Sequence, residues 1–320
     1  MTITQTASVF ARATRPRART LDITVLAGGP GVERDVSLDS GRAVCAALER
    51  SGHRVVMADV GPDDLSALDR TADFVFIALH GEFGEDGTVQ AQLDARGLAY
   101  AGSGAEASRI AMDKAESKRR FQHAEIPTPR FEVVARAGLA GLCSRFSVPA
   151  VVKPIASGSS LDTSIVRTPN RLQAAAEVVV DKYGEALVEQ YISGPELTVG
   201  ILGHIALPVC EIRTDREFYD YQAKYVDSNT GYHFDLDLPE VLLERVQTLS
   251  LEVHRLLGCR VFSRVDWMVD AATLDPYVLE VNTIPGFTSH SLLPKAAAKA
   301  GISFDQLCQR IVDLSLVEFD

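Results

Sequence analysis

Two short apolar segments near the C-terminal end of the sequence carry the residues best suited to hold a cation. Arg264 and Asp266 lie on the first segment, and Glu280 and Asn282 lie on the second. Side chains two residues apart share a face of a β-strand, so pairing of the strands would bring all four groups together. Carboxylate and amide oxygens suit Mg²⁺ that is bound jointly with substrate phosphates. The alternative is a buried ion pair between Arg264 and one acid. One arginine cannot neutralise the negative charge of two carboxylates, however, which favours a metal.

A lysine followed by a small, hydroxyl-rich loop forms a second candidate site. Lys153 directly follows the apolar segment 148–152, and the loop KPIASGSS that begins with it includes Ser159 and Ser160. Backbone N–H groups of such a loop can cradle phosphates while the ammonium group neutralises their charge. Gly-Ser loops are common, however, and the sequence has no G-x-x-x-x-G-K-[ST] motif. Arg34 stands where a dinucleotide-binding fingerprint after the first strand needs its third glycine, which disfavours a Rossmann cofactor.

Two further loops follow strands of the N-terminal region. The glycine-rich turn at 28–37 carries Glu33, and the loop at 80–88 begins with His80. Ligands of open α/β sheets bind at the carboxyl ends of the strands, so we expect both loops to line one crevice. A histidine at a strand end, followed by glycine, is a better site candidate than an isolated histidine.

The pattern of strands and helices divides most of the chain into three parts. The first part, 21–102, alternates a helix at 38–50 with strands at 22–27, 54–60, 73–79 and near Ala99, which predicts an α/β domain with a parallel sheet. The second part, 103–188, predicts a small α+β layer, with helices at 107–123 and 171–183 and strands at 130–134, 148–153, 164–167 and 186–190.

The last part, 189–320, predicts a helix at 240–257, two closing helices, and strands at 197–201, 208–212, 260–270 and 276–282. Within it, the polar stretch 213–235 has no regular periodicity and holds four tyrosines. Long irregular segments in compact domains are usually functional lids or disordered, and the tyrosines favour a lid. The predicted fold class is therefore α/β and α+β in three domains.

Composition excludes several classes of protein. The 320-residue chain is 46% hydrophobic and 23% charged, with a net charge of −11, which argues against a nucleic-acid partner. No apolar run approaches the roughly 20 residues that span a membrane. The five scattered cysteines form no C-x-x-C pair and indicate the reduced thiols of a cytoplasmic protein. Residues 1–20 are basic and lack the apolar core of a secretory signal, so we expect a disordered tail, with an organelle transit peptide as the alternative.

Together these segments resemble the D-alanine–D-alanine ligase family of the ATP-grasp superfamily. The resemblance covers about 22–316, and its motifs occur in the family's order: GGPGVERDVSLDSG, IALHGEFGEDGT, AMDKAESK, VVKPIASGSS, VEQYISGPELTV, EFYDYQAKY, RVDWMVD and YVLEVNTIPGFTSHSLLP. It implies a three-domain ATP-grasp fold with MgATP between the central and C-terminal domains. It also implies a homodimer that joins two D-alanines through an acyl phosphate for peptidoglycan synthesis, with ATP and two Mg²⁺ ions (or Mn²⁺) as cofactors.

The resemblance assigns nucleotide and metal roles residue by residue. The phosphate-binding groups are matched by Lys114, Lys153, Ser159, Ser160 and, in the lid, Lys224. The segment that reads the adenine edge is matched by Glu189, Gln190, Tyr191 and Ile192, and the ribose-binding acid by Glu196. The two Mg²⁺ ions would be bound by Asp266, Glu280 and Asn282.

The resemblance also assigns the amino acid sites. Groups around the first amino acid are matched by Glu33, His80 and Ser291, and those around the second by Arg264, Gly286, Ser291 and Leu292. Tyr225 in the lid is expected to close a hydrogen-bonded triad with Glu33 and Ser159, through which the amine loses its proton. Arg264 and the Gly286 N–H would stabilise the tetrahedral oxyanion.

Three positions depart from the family's pattern. Ser157 and Asp162 stand where the phosphate loop usually has Glu and Gly, and Gln190 stands where Lys is common. An aspartate about 5 Å from a phosphate charge would cost roughly 3 kcal/mol at an effective dielectric constant of ~20, so Asp162 must face solvent or a cation, or ATP affinity suffers. Two alternatives therefore stay open. One is a specialised ligase for another amino acid pair in antibiotic biosynthesis or resistance, and the other is a non-catalytic nucleotide-binding protein.

Overall fold

The computed structural model describes residues 19–216 and 230–319. Its N-terminal region is a parallel three-stranded sheet in the order β2-β1-β3, with β1 at Asp22–Leu26, β2 at Arg54–Ala58 and β3 at Phe74–Ile77. Helices α1 (Arg34–Arg50) and α2 (Thr88–Ala95) follow β1 and β3. The predicted strand near Ala99 is only a single bridge between Val75 and Tyr100. The N-terminal region is thus a parallel α/β unit, as the alternating pattern predicts.

The helix predicted at 107–123 is two helices, α3 (Ala105–Met112) and α4 (Lys114–His123). Between them, Asp113 leaves the helical conformation, and its side-chain oxygen accepts a hydrogen bond from the Glu116 N–H at 2.8 Å. Aspartate is a preferred N-cap because it satisfies an N–H group that has no partner within the helix. The break places Lys114 in the first turn of α4, where it faces the site.

The central region contains a four-stranded antiparallel sheet in the order β4-β7-β5-β6. Its strands are β4 (Phe131–Ala135), β5 (Ala150–Lys153), β6 (Ser164–Val166) and β7 (Glu185–Gln190), and its helices are α5 (Leu142–Arg145) and α6 (Pro169–Tyr183). Leu172, Ala176 and Val179 recur at helical spacing along α6 and are buried with the apolar face of the sheet. The predicted α+β layer is confirmed, and Lys153 is the last residue of β5.

The C-terminal region is organised around an antiparallel sheet in the order β11-β10-β8-β12-β13, with β9 paired to β8. Its strands are β8 (Glu196–Leu202), β9 (Ile205–Ala206), β10 (Cys210–Arg213), β11 (Gly231–His233), β12 (Phe262–Val269) and β13 (Pro276–Asn282). Its helices are α7 (Glu240–Leu256), α8 (Leu292–Lys299) and α9 (Phe304–Phe319). Helix α7 packs on the sheet, where the fully buried Trp267 donates from its indole nitrogen to Ser250 Oγ at 2.9 Å.

The closing helix α9 packs against α1 of the N-terminal region. Ile311 of α9 shares one buried cluster with Ile23 of β1, and Phe262 and Phe287 from the C-terminal region join it. The Phe287 N–H also donates to Ser40 Oγ of α1 at 3.1 Å. This common core holds the N-terminal sheet beside β12 and beside the loop that follows β13. The domain limits 21–102, 103–188 and 189–320 remain predictions.

Two predicted features lie partly outside the described residues. These are the basic tail, at residues 1–18, and the predicted lid, at residues 217–229. The five cysteines are unpaired; Cys210, Cys259 and Cys308 are buried, whereas Cys45 is partly exposed and Cys143 is exposed. Among the described residues, no helix is long and apolar enough to cross a membrane.

Candidate active site

Strands β12 and β13 bring the four predicted cation-site residues together. The antiparallel register sets Arg264 opposite Asn282 and Asp266 opposite Glu280. A shift in register directly after Asp266 ends this arrangement, so the four polar residues form one patch at one end of the strand pair. The apolar residues between them, Val265 and Val281, are buried in the core. The alternation of polar and apolar side chains therefore produces the juxtaposition that the sequence predicts.

Asp266 is held by two neighbours at once. The Arg264 guanidinium donates from Nε to Oδ1 at 2.9 Å and from Nη2 to Oδ2 at 2.7 Å. The Thr198 hydroxyl of β8 donates to Oδ1 at 2.6 Å. Asp266 is 6% exposed, and a buried carboxylate needs such partners. The ion pair considered as the alternative to a metal site is thus present, and Glu280 and Asn282 lie beside it.

Glu280 and Asn282 border the ion pair on the cavity side. Lys114 Nζ lies 3.2 Å from Glu280 Oε2 and donates to the Ser157 carbonyl at 2.7 Å, so it links α4, β13 and the hydroxyl-rich loop. Asn282 Oδ1 accepts from the Ile284 N–H at 2.9 Å. Within the described ranges, no group of three or more His, Cys, Asp or Glu side chains could hold a metal. Any cation here would have to combine the two carboxylates with the Asn282 amide.

A second charged group is buried between the central sheet and α4. Glu189 Oε2 lies 2.5 Å from Lys153 Nζ, and Glu189 Oε1 lies 2.6 Å from Lys118 Nζ. Burial alone would raise the pKa of Glu189, but the two ammonium groups outweigh it and the pKa is lowered. Burial would lower the pKa of Lys153, yet Glu189 and Glu280 shift it upward. Both groups therefore stay ionised at neutral pH.

Two adjacent cavities are lined by the residues of this site. The larger is lined by the predicted nucleotide residues Lys153, Ser160, Glu189, Gln190, Tyr191, Ile192 and Glu196, and by Asp266. The smaller is lined by the predicted amino acid residues Glu33, His80, Arg264, Gly286, Ser291 and Leu292, and by Asn282 and Ser159. Lys114, Ser157 and Glu280 line both cavities. The two cavities therefore meet at these three residues.

A contact between the N-terminal and central regions forms part of the wall of the smaller cavity. Ser159 Oγ donates to Glu33 Oε1 at 2.5 Å, and both side chains are buried. Two members of the predicted triad are thus in contact, whereas Tyr225, like Lys224, lies outside the described residues. On the opposite wall, a Cβ atom at Gly286 would lie 2.5 Å from Ser291 Oγ. Only glycine leaves that backbone open to the cavity.

Glu85 is a cavity residue that the sequence reasoning did not single out. Its Oε1 lies 3.4 Å from His80 Nδ1, and the other ring nitrogen of His80 lies 3.4 Å from Ser40 Oγ. Burial raises the pKa of Glu85, and His80 opposes that shift. The contacts orient the imidazole ring toward the cavity that it lines. The signal was present in the HGEFGED motif, where Glu85 follows His80 by five residues.

Comparison with known proteins identifies the family. Residues 121–313 match the family model described as D-ala D-ala ligase C-terminus, and residues 57–103 match the one described as D-ala D-ala ligase N-terminus. The chain is 44% identical over 300 residues to the D-alanine–D-alanine ligase of Gloeobacter violaceus, covering 92% of this chain and 99% of that one. This protein belongs to the D-alanine–D-alanine ligase family. The resemblance inferred from the motifs is therefore confirmed.

Solved structures of related ligases share the fold. The D-alanine–D-alanine ligase of Bacillus anthracis is 37% identical, with a TM-score of 0.82 over 94% of this chain and 99% of that chain. A structure of the B. anthracis ligase complexed with ATP gives a TM-score of 0.80 at 34% identity, over 94% and 99% of the two chains. The VanG D-Ala:D-Ser ligase of Enterococcus faecalis reaches 0.82 at 26% identity, over 93% and 100%. The predicted three-domain ATP-grasp fold is confirmed.

The departure at Asp162 from this family's pattern has a structural answer. Asp162 adopts a left-handed backbone conformation (φ 53°), which explains the usual glycine at that position. Its carboxylate accepts from Lys182 Nζ at 2.5 Å and from the Tyr183 hydroxyl at the end of α6. Hydrogen bonds from these two groups lower the pKa of Asp162. The carboxylate thus faces a cation at the surface, which is one of the outcomes that spare ATP affinity.

Replacing Asp162 by alanine should raise the KM for ATP by no more than about fivefold, because an exposed ion pair is typically worth under ~1 kcal/mol. The loss of the contacts with α6 would loosen the hydroxyl-rich loop, so the change should be upward. Steady-state kinetics at varied ATP concentration measures this KM. The matched control is Asp181→Ala, because Asp181 is also exposed, lies on α6 and forms an ion pair with Arg136. A tenfold fall in KM would mean that Asp162 repels the phosphates after all.

Proposed function

We propose that this protein is an ATP-dependent D-alanine–D-alanine ligase, which joins the carboxylate of one D-alanine to the amine of another for peptidoglycan precursor synthesis. One observation carries most of the weight: the lysine-lined cavity and the cavity that contains Glu33 and Arg264 meet at Lys114, Ser157 and Glu280. A phosphoryl donor in the first cavity and an amino acid in the second would have their reacting groups at that junction. Family membership supports the same reaction.

The larger cavity has the groups that a nucleotide needs. Lys114 and Lys153 would neutralise the phosphates, and backbone N–H groups of residues 157–160 would contact them. The base would lie along residues 189–192, where Ile192 is buried and Tyr191 half-buried, and the ribose would lie beside Glu196. The Glu189 carboxylate pairs with two lysines, so it would act on the nucleotide through Lys153.

The oxygen donors at the junction fit magnesium. Asp266, Glu280 and Asn282 offer two carboxylates and an amide on adjacent strands, which are hard ligands. A carboxylate has about four acceptor positions, and the hydrogen bonds from Arg264 and Thr198 use three of those on Asp266. We propose that these residues bind two Mg²⁺ ions, or Mn²⁺ in their place. When bound, the metal would withdraw charge from the phosphates and so favour phosphoryl transfer to a carboxylate.

The smaller cavity would hold both amino acids. Glu33, His80 and Ser291 would contact the first, and the buried Leu292 would bound the space for the second. Arg264 and the Gly286 N–H would stabilise the oxyanion. Arg264 can be held by Asp266 at the same time, because a guanidinium has five N–H groups and two of them are donated to that carboxylate.

Proton transfer and exclusion of water complete the proposed reaction. The proton of the attacking amine would leave through Glu33 and Ser159, with Tyr225 as the third member of the network. The lid at 213–235, with Lys224, would keep water from the activated carboxylate. A homodimer, a cytoplasmic location, and the absence of nucleic-acid and membrane partners are proposed from the resemblance and the composition.

Phosphate release and dipeptide formation test this function directly. With MgATP, the purified protein should release phosphate only when D-alanine is present, and D-Ala–D-Ala should form in equal amount. L-Alanine is the control and should give neither product. Dipeptide formed only with D-serine or another second amino acid would support a specialised ligase instead. MgATP binding with no turnover on any pair would support the non-catalytic protein.

A further inference from the structure

Lys118 is a fully buried lysine that lines neither cavity. Its relative exposure is 0%, and its Nζ donates to Thr128 Oγ1 at 2.7 Å and lies 2.6 Å from Glu189 Oε1. Thr128 Oγ1 in turn donates to the Val278 carbonyl of β13 at 2.8 Å. A continuous chain of polar contacts therefore runs from β13, through Thr128, Lys118 and Glu189, to Lys153. One end, Lys153, lines the nucleotide cavity, and at the other end Val278 directly precedes two cavity residues, Leu279 and Glu280.

The chain crosses the boundary between two sheets. Val278 belongs to β13 of the C-terminal sheet and lies two residues before Glu280, whereas Glu189 and Lys153 belong to the central sheet. A second contact supports the same junction, since the Val278 N–H donates to the Pro127 carbonyl at 2.9 Å. Lys118 thus sets the position of the central sheet's charged groups relative to the strand that carries Glu280.

Burying the Lys118 ammonium group costs free energy. A buried ammonium group needs an anion and hydrogen bonds to offset its loss of hydration. Lys153 could neutralise Glu189 by itself, since it lies 2.5 Å from the same carboxylate. A second lysine on Glu189 adds a constraint on the direction of that carboxylate, because each of its two oxygens then faces one ammonium group. The direction of the carboxylate in turn fixes Lys153.

We propose that Lys118 is a positioning residue for the nucleotide: it orients Glu189, and through Glu189 it holds Lys153 and the backbone of residues 189–192 in place for ATP. This role rests on the proposed function, because it presumes that the larger cavity binds ATP. It adds a residue that never touches the nucleotide, since Lys118 does not line the cavity. The role needs the positive charge of Lys118 as well as its size.

Titration of Lys118 supplies a readout that a purely structural role would not move. Burial, together with the neighbouring positive charge of Lys153, lowers the pKa of Lys118 to about 8, against the attraction of Glu189 and Glu280. Its other close neighbours, Thr128 and the Phe131 ring at 5.9 Å, carry no charge. The pKa of Lys153 is raised, so that residue stays charged through the same range. Of the two lysines that face Glu189, Lys118 would therefore lose its charge first as the pH rises above 8, and its attraction for the Glu189 carboxylate would weaken.

The test measures the Kd of MgATP by calorimetry, without amino acids, from pH 7 to pH 9.5. The wild-type Kd should rise as the pH passes 8, where the phosphates of ATP are already fully ionised. Lys118→Met should bind MgATP about 10-fold more weakly at pH 7.5, the usual effect of removing a group that orients a ligand-binding residue. Lys118→Arg should retain most of the affinity at pH 7.5 and lose the inflection near pH 8. Arg119→Met, which changes an exposed neighbour on α4, is the control.

The outcomes separate this inference from the proposed function. Wild-type protein that fails to bind MgATP would overturn both. Wild-type binding with the same Kd and the same pH profile in the Met and Arg variants would overturn only the role of Lys118. If Lys118→Met does not fold, the pH profile of Lys118→Arg decides, because a retained inflection excludes Lys118 as its source. Thr128→Val, which removes only the link to β13, should weaken MgATP binding in the same direction.

Discussion

Replacing Glu280 by glutamine should lower kcat by about 10³-fold while the protein stays folded. Glu280 is one of the three residues that line both cavities, and it is one of the two carboxylates proposed to bind Mg²⁺. Charge stabilisation by a bound metal is worth several kcal/mol, and about 4 kcal/mol corresponds to a factor of roughly 10³ in rate. The Glu280 side chain is 29% exposed and glutamine keeps its shape, while the buried Lys114, which loses an ion-pair partner, keeps the Ser157 carbonyl as an acceptor.

The measurement is kcat at saturating ATP and D-alanine, over a range of Mg²⁺ concentrations. The variant should also need more Mg²⁺ for half-maximal activity, because one ligand has lost its charge. Glu132→Gln is the matched control: Glu132 also lies on a strand, is 30% exposed and pairs with a cation, Arg145, but it lines neither cavity. A Glu280→Gln enzyme within threefold of the wild-type kcat would remove Glu280 from the metal site.

Local sequence patterns predicted the parts of the site that depend on single strands. Arg264, Asp266, Glu280 and Asn282 alternate with apolar residues on two segments, and that alternation can be satisfied only when the polar faces coincide on paired strands. The same reasoning predicted the parallel N-terminal sheet from buried apolar runs. In both cases the pattern of side chains along a strand decides which residues share a face of the sheet. The local sequence is therefore sufficient to predict the arrangement.

Contacts between distant segments were not predictable in the same way. The Asp162 carboxylate meets Lys182 and Tyr183 about twenty residues away, and no periodicity links these positions. Lys118 looks like an ordinary polar residue of a charged helix, and only tertiary packing shows that it is buried. The break at Asp113 was missed for a different reason, because the apolar spacing continues from α3 into α4 and hides the cap.

The contacts of Asp162 with α6 and of Lys118 with Glu189 share a physical property. Each joins elements whose separation in sequence is long compared with the helical or strand repeat, so its energy depends on the final packing of two regions. The motifs that identified the family did include Asp113, Lys118 and Glu189, but a motif gives identity and order without contacts. The motifs therefore located the site, and the structure was needed to show how its charged groups hold one another.

Replacing Arg264 by lysine should lower kcat by about 10²–10³-fold, the range typical of removing one donor to an oxyanion. Lysine keeps the positive charge but not the planar pair of N–H groups that holds both oxygens of Asp266. The Kd of MgATP should change little, because Arg264 lines the amino acid cavity and not the nucleotide cavity. The effect should therefore appear in kcat and in the KM for D-alanine rather than in nucleotide binding.

Arg54→Lys is the matched control for this substitution. Arg54 lies on β2 and also donates two hydrogen bonds to one aspartate, Asp22, both at 2.6 Å, but it is exposed and remote from the cavities. Its replacement should leave kcat and Kd unchanged. A loss of MgATP affinity in Arg264→Lys equal to its loss of kcat would show that Arg264 acts by holding Asp266 for the metal. An unchanged affinity with the expected fall in kcat would show that the guanidinium acts on the amino acids themselves.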